Sequence, residues 1–168
     1  MLKKILSTGM TGAEQAGLAA AFMKDISTGG YAMKDYKVLD GKMKPLKYMP
    51  ELIGLGLIET EFEKLKPVFE KVCLESDAHI IFQSDEPNKF ETNTSMLIKE
   101  YSKPVLKVNI DSKKIEHRFI VEFLRNNDVR NLHITGKLDS GDEKRIYTKV
   151  LKIMTSAITD YQFEMSYR

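Results

Sequence analysis

Short apolar runs alternate along this chain with longer stretches whose apolar residues recur every three or four positions. The first pattern predicts buried strands and the second predicts helices. Leu2 to Ser7, Ala78 to Phe82, Pro104 to Ile110 and Val129 to Thr135 read as strands. Ala13 to Met23 reads as a helix with a small-residue face of Ala13, Ala16, Gly17, Ala20 and Ala21, which would let it lie close to a sheet. Further helices are predicted from Thr60 through Cys73, from Thr94 to Tyr101 and from Ile115 to Leu124. The clearest helix starts after Ser140 and carries Ile146, Tyr147, Val150, Leu151, Met154, Ala157 and Ile158 on one side.

Three pairs have the spacing of a capping box: Thr11 with Glu14, Thr60 with Glu63, and Ser140 with Glu143. Thr28 to Tyr31 is a break followed by a short extended piece. Residues 34–50 look irregular, punctuated by Gly41, Pro45 and Pro50. A connection that long suits a binding loop or lid. The tail from Tyr161 to Tyr167 alternates apolar and polar residues, which suits either an added strand or a contact with a second subunit. Strand–helix alternation predicts an α/β fold with a mostly parallel sheet between helices. Ligands in such folds sit at the carboxyl ends of the strands. Here those ends carry Ser7 to Gly12, Gln83 to Thr94, Asn109 to Ser112 and Thr135 to Ser140.

A length of 168 residues fits a single domain, residues 1–168, with a sizeable core. The net charge of +2 lacks the concentrated basic face that nucleic-acid binding needs. No apolar run approaches the roughly eighteen residues of a membrane span. The single cysteine, Cys73, forbids an internal disulfide and suits a reducing cytosol, so a cytoplasmic protein is expected. Cys73 has no metal-ligand spacing to its neighbours and reads as a small core residue, so no protein-bound metal is expected. His79 and His133 read as core histidines and His117 as solvent-facing.

The most informative segment is the turn after the first strand. It ends an apolar run in glycines and hydroxyl residues and feeds directly into a helix. Unpaired backbone amides and the positive end of the helix dipole would meet there, a setting that attracts phosphate. It matches neither sharp phosphate-loop signature. The candidate ligand residues are Ser7, Thr8, Gly9, Met10, Thr11, Gly12 and Glu14. A second predicted helix start adds Asn93, Thr94 and Ser95, with Ser84 at the same strand end. Lys34, Lys37, Lys42, Lys44 and Lys47 crowd the long loop and could close over a polyanion.

The run from Ser7 to Glu14 resembles the S-G-G-Q-T-G-x-D turn that opens the molybdenum-cofactor carrier proteins. More of that family's pattern follows in order: Gly29-Gly30-Tyr31, Tyr48 to Leu52, Ser76-Asp77 before a buried strand, Lys103-Pro104, and Leu132 to Gly136. The resemblance extends to about Val150. It differs at Thr92-Asn93-Thr94, which replaces Gly-Gly-Thr, at Ala32-Met33, which replaces Cys-Pro, and at Met10, which replaces Gln.

The resemblance implies a Rossmann-like three-layer sandwich and a homo-oligomer, a dimer or tetramer. It also implies an anionic small-molecule partner, either molybdenum cofactor or a phosphorylated nucleotide. Gly30 and Tyr31 join the candidate site, with Tyr31 or Tyr48 stacking on the ligand. Two other readings stay open. One is a diverged nucleotide hydrolase with Glu14 or Asp77 as acid or base, and the other is an interaction module with a dead pocket. The related phosphoribohydrolases carry a P-G-G-x-G-T-x-x-E segment that this chain lacks, which favours binding over catalysis.

Overall fold

The computed structural model describes the chain except for residues 43, 44, 47, 48, 50, 116, 142 and 168, with backbone alone at 45–46. The elements in chain order are β1 (Lys4–Ser7), α1 (Ala13–Met23), β2 (Ser27–Ala32), a short 3₁₀ turn (Lys34–Tyr36), β3 (Val38–Leu39), β4 (Pro45–Leu46), α2 (Glu51–Gly54) and β5 (Leu57–Glu59). Then come α3 (Leu65–Glu75), β6 (Ala78–Gln83), α4 (Lys89–Lys99), β7 (Val105–Asn109), α5 (Arg118–Asn126), β8 (Asn131–Gly136) and α6 (Arg145–Ser166).

Six strands form one sheet in the order β5-β2-β1-β8-β6-β7, and every pairing in it is parallel. The connection from β1 moves toward the β5 edge, while that from β5 crosses back to β6. Right-handed crossovers therefore put α1 and α3 on opposite faces. α6 packs against both α1 and α5, and α3 lies over β2, β1 and β8. The result is the Rossmann-like three-layer sandwich that the resemblance implies.

Burial follows the layers. β6 is buried along Ala78–Phe82 because helices cover both its faces. α1 is buried nearly all round, lying between the sheet and α6. Its Gly17 leaves no room for a side chain, since a Cβ there would meet Ile134 at 2.8 Å.

The structure corrects several expectations. None of the three predicted capping boxes forms. Thr11 turns its hydroxyl to the carbonyls of Asp139 and Leu39. Thr60 donates to the Ala32 carbonyl, and α3 begins only at Leu65, which puts Pro67 in its tolerant first turn. α6 begins at Arg145 with no side-chain cap from Ser140. The capping box that does form joins Asn88 and Glu91, so α4 starts at Lys89 rather than Thr94. Its first turn, Lys-Phe-Glu-Thr, has no apolar periodicity to betray it. The break at Thr28–Tyr31 is instead part of β2, a regular parallel strand. The irregular stretch after it contains the antiparallel pair β3–β4. The tail is not an added strand: through Ser166 it forms the last turns of α6. Among the described residues, no helix is long and apolar enough to cross a membrane.

Candidate functional site

At the carboxyl edge of the sheet the first turn folds around a carboxylate of its own chain. Glu14 Oε2 accepts the Thr8 amide at 3.0 Å, the Thr8 hydroxyl at 2.5 Å and the Met10 amide at 3.0 Å. Its other oxygen accepts the Thr135 hydroxyl from β8 at 2.8 Å. Ser7 accepts the Gly9 amide on its hydroxyl, and Gln15 donates to the Gly9 carbonyl. Ser7, Thr8, Met10 and Glu14 are buried. Loss of water pushes the Glu14 carboxyl above its ordinary value, although the bonds from Thr8, Met10 and Thr135 pull the other way. These amides are thus taken by a carboxyl group of the chain itself, that of Glu14.

The same device recurs twice. Ser84, at the end of β6, gives its amide at 2.7 Å and its hydroxyl at 3.1 Å to Glu91, which also accepts the Asn88 amide. After β8, Asp139 accepts the amides of Ile146 and Tyr147, each at 2.8 Å, and so closes the start of α6. Carboxyl groups of the chain itself thus occupy three neighbouring strand–helix turns: Glu14 and Glu91 take amides of the turns before their helices, and Asp139 takes the first amides of α6.

Beside the first turn lies an open cleft of about 450 Å³. Thr11, Gly12 and Gln15 line it together with Asp139, Glu143, Lys144 and Tyr147, and with Met49 and Glu51. Of the predicted ligand residues, Thr11 and Gly12 reach this cleft. Gly30 presses on β1 instead, with Ser7 as its register partner. Tyr31 points to α3, where its hydroxyl bonds Glu75 and Lys71 stands 5.1 Å above its ring. The helix start predicted at Asn93, Thr94 and Ser95 falls inside α4, where Thr94 and Ser95 are buried. Asn93 and Thr94 line a separate groove of about 400 Å³ between α3 and α4. Tyr48, Lys44 and Lys47 lie outside the described residues. Asp77 is at the opposite edge of the sheet, accepting the amides of Arg130 and Asn131.

Sequence reading scattered one further group that the fold assembles. His79 on β6 and His133 on β8 are register partners, and their Nδ1 atoms stand 3.0 Å apart. Cys73 on α3 brings its Sγ to 3.9 Å from the same His133 nitrogen. All three are fully buried. Burial lowers the basicity of both rings, to about 4 for His79, and pushes the Cys73 thiol up to about 12. The separations along the chain hide this cluster. Only the parallel pairing of β6 with β8 reveals it. His117 matches its solvent-facing expectation, bonding Asp160 at 2.8 Å on the surface.

A crystal structure named "Putative molybdenum carrier protein", from Syntrophus aciditrophicus, is similar to the chain with a TM-score of 0.73. The two are 24% identical, and the match covers 94% of each chain. No curated protein gave a significant match. The family model described as "Circularly permutated YpsA SLOG family" matches residues 5–158. With nearly the whole sheet and its helices inside that match, the chain belongs to the circularly permutated YpsA SLOG family.

Proposed function

We propose that this protein carries or sequesters a phosphorylated pterin-like or nucleotide-like small molecule in the cleft between the first turn and the start of α6. One observation carries the reading: a cleft of about 450 Å³ opens beside Thr11 and Gly12 at the carboxyl edge of a parallel sheet, where folds of this class bind ligands. The molybdenum carrier named for the similar structure points the same way, as does the family resemblance. Lys144 offers the cleft a cation for phosphate. Tyr147 is half-buried and offers a face for a flat ring. Exposed Glu51 and Glu143 suit a heterocycle edge rich in N–H donors, such as the amino-pyrimidinone edge of a pterin or guanine. The other turn residues, Ser7 to Met10 with Glu14, support Thr11 and Gly12 within the same turn.

Carriage fits better than turnover. The two carboxylates considered as acid or base, Glu14 and Asp77, do not line the cleft. Glu14 is buried and held by several donors. A hydrolase acting here would need another group. Self-association into a dimer or tetramer belongs to the same reading, favoured by the exposed Phe163 and Tyr167, whose rings meet edge-on at the end of α6.

Native mass spectrometry of the purified protein, followed by titration with a panel of phosphorylated pterins and nucleotides, tests this. Saturable binding without product supports a carrier. Product formation supports a hydrolase, and a panel that neither binds nor stabilises the protein overturns the reading. Light scattering coupled to gel filtration tests self-association, and a monomer at high concentration counts against it.

A further inference from the structure

The buried cluster of Cys73, His79 and His133 stands apart from the cleft and from every role assigned above. Its three candidate donor atoms all lie within 4.8 Å of one another. A metal about 2.0 Å from nitrogen and about 2.3 Å from sulfur separates tetrahedral donor atoms by roughly 3.3–3.6 Å. The observed 3.0 Å between the two Nδ1 atoms is shorter than that and the 3.9 Å from Sγ to Nδ1 longer, so small side-chain shifts would seat an ion. The second observation is how the rings are turned. Neither is held from its far side, since His79 Nε2 and His133 Nε2 have no hydrogen-bond partner among the described residues. The polar contacts of the pair are instead made by the two Nδ1 atoms, which face each other and the Cys73 sulfur.

We propose that Cys73, His79 and His133 form a binding site for one soft d¹⁰ metal ion, copper(I). Charge selects it over zinc(II). A thiolate, two neutral imidazoles and a monovalent ion sum to zero, whereas a divalent ion leaves a net positive charge in a water-free core. The ammonium of Lys103, which donates to the carbonyls of Cys73, Leu74 and Ser76, already places one positive charge beside the cluster. Thiolate and imidazole are also ligands that copper(I) prefers. Binding forms the metal–sulfur bond and releases the Cys73 proton to solvent, with no change of oxidation state. The surrounding shell is apolar: Phe69, Ile81 and Ile98 pack with Cys73. Phe69 also supplies a route in. It lines the groove between α3 and α4, and its ring meets that of His133 edge-on at 4.9 Å. A rotation of Phe69 would connect groove and cluster.

The test uses the full chain, stripped of metal and titrated with copper(I) under nitrogen against a chromophoric copper(I) chelator. One ion per chain should be retained, and Cys73→Ser and His133→Gln should lose at least tenfold in affinity. Circular dichroism and urea midpoints without metal establish that the variants fold. Should they fail to fold, alkylation of Cys73 in the wild-type protein decides the matter: copper(I) should slow it at least tenfold in mild urea. No retained copper, equal retention by Cys73→Ser, alkylation indifferent to copper, or preferential uptake of zinc(II) would each overturn the assignment.

Discussion

Glu14 and Thr8 are joined twice: one carboxylate oxygen of Glu14 accepts both the amide of Thr8, at 3.0 Å, and its hydroxyl, at 2.5 Å. This pair closes the turn that leads from the first strand into the first helix, deep in the protein. Removing the carboxylate strands the amides of Thr8 and Met10 in a dry core. Glu14→Ala should therefore cost on the order of 3 kcal/mol. Urea unfolding at neutral pH measures it, and a loss below about 1 kcal/mol would mean that water replaces the carboxylate.

The same carboxylate should leave a signature in pH. Its folded-state proton affinity is raised above the ordinary value of 4.5, chiefly by burial. The folded protein therefore binds that proton more tightly than the unfolded chain does. The resulting stability is fully present below pH 4.5 and is lost as pH rises through the raised value. Glu14→Gln keeps the shape and cannot titrate. The stability of wild type relative to Glu14→Gln should fall between acid and neutral pH. Urea midpoints for both proteins across that window check the slope, and a gap that widens with pH contradicts it.

Two strand positions depend on glycine. A Cβ on Gly30, at φ +126°, would lie 1.9 Å from the Ser7 carbonyl oxygen, and one on Gly136, at φ +142°, 2.0 Å from that of Phe82. Both clashes are with backbone of the neighbouring strand, which cannot move aside. Gly30→Ala and Gly136→Ala should each destabilise by about 3 kcal/mol or more, combining an unfavourable φ with a forced strand separation. Thermal unfolding reads the effect, and a midpoint within a few degrees of wild type would show that the strands can part.

The cleft residues should behave in the opposite way. Lys144 is exposed, and Tyr147 half-buried, with its ring under the Lys144 ammonium at 6.0 Å. Lys144→Glu and Tyr147→Ala should weaken binding of a phosphorylated pterin or nucleotide at least tenfold, about 1.4 kcal/mol. Lys144→Glu should leave the unfolding midpoint nearly unchanged, since it removes only an exposed charge. Isothermal titration separates the two quantities. Unchanged affinity in both variants would remove the ligand from this cleft.

Lys103 ties the end of α3 to the start of β7. Its ammonium reaches the carbonyls of Cys73 at 2.7 Å, Leu74 at 2.9 Å and Ser76 at 2.5 Å, the negative end of the helix. Lys103→Met keeps the stem and removes the charge. It should cost about 1–2 kcal/mol, seen as a lower urea midpoint with an unchanged slope.

The sequence by itself determined four of the six sheet strands, β1, β6, β7 and β8, their alternation with helices and the parallel character of the sheet, because hydrophobic period is a local property of neighbouring residues. Ala13 to Met23 is helical from end to end as its small-residue face predicts, and the apolar run from Ala78 to Phe82 is the buried strand it reads as. It also located the edge where the turns gather. What those turns do depends on tertiary structure. Thr11 sits at capping distance from Glu14 along the chain, yet Glu14 turns inward because Thr135, far away in sequence, offers a hydroxyl on the next strand. Asp139 takes the start of α6 from Ser140 by the same kind of rivalry. The meeting of Cys73, His79 and His133 follows only from strand register and from the helix laid across it. Spacing along a chain encodes which residues can be neighbours on one element, whereas closure of the sheet chooses the neighbours that residues on different elements acquire.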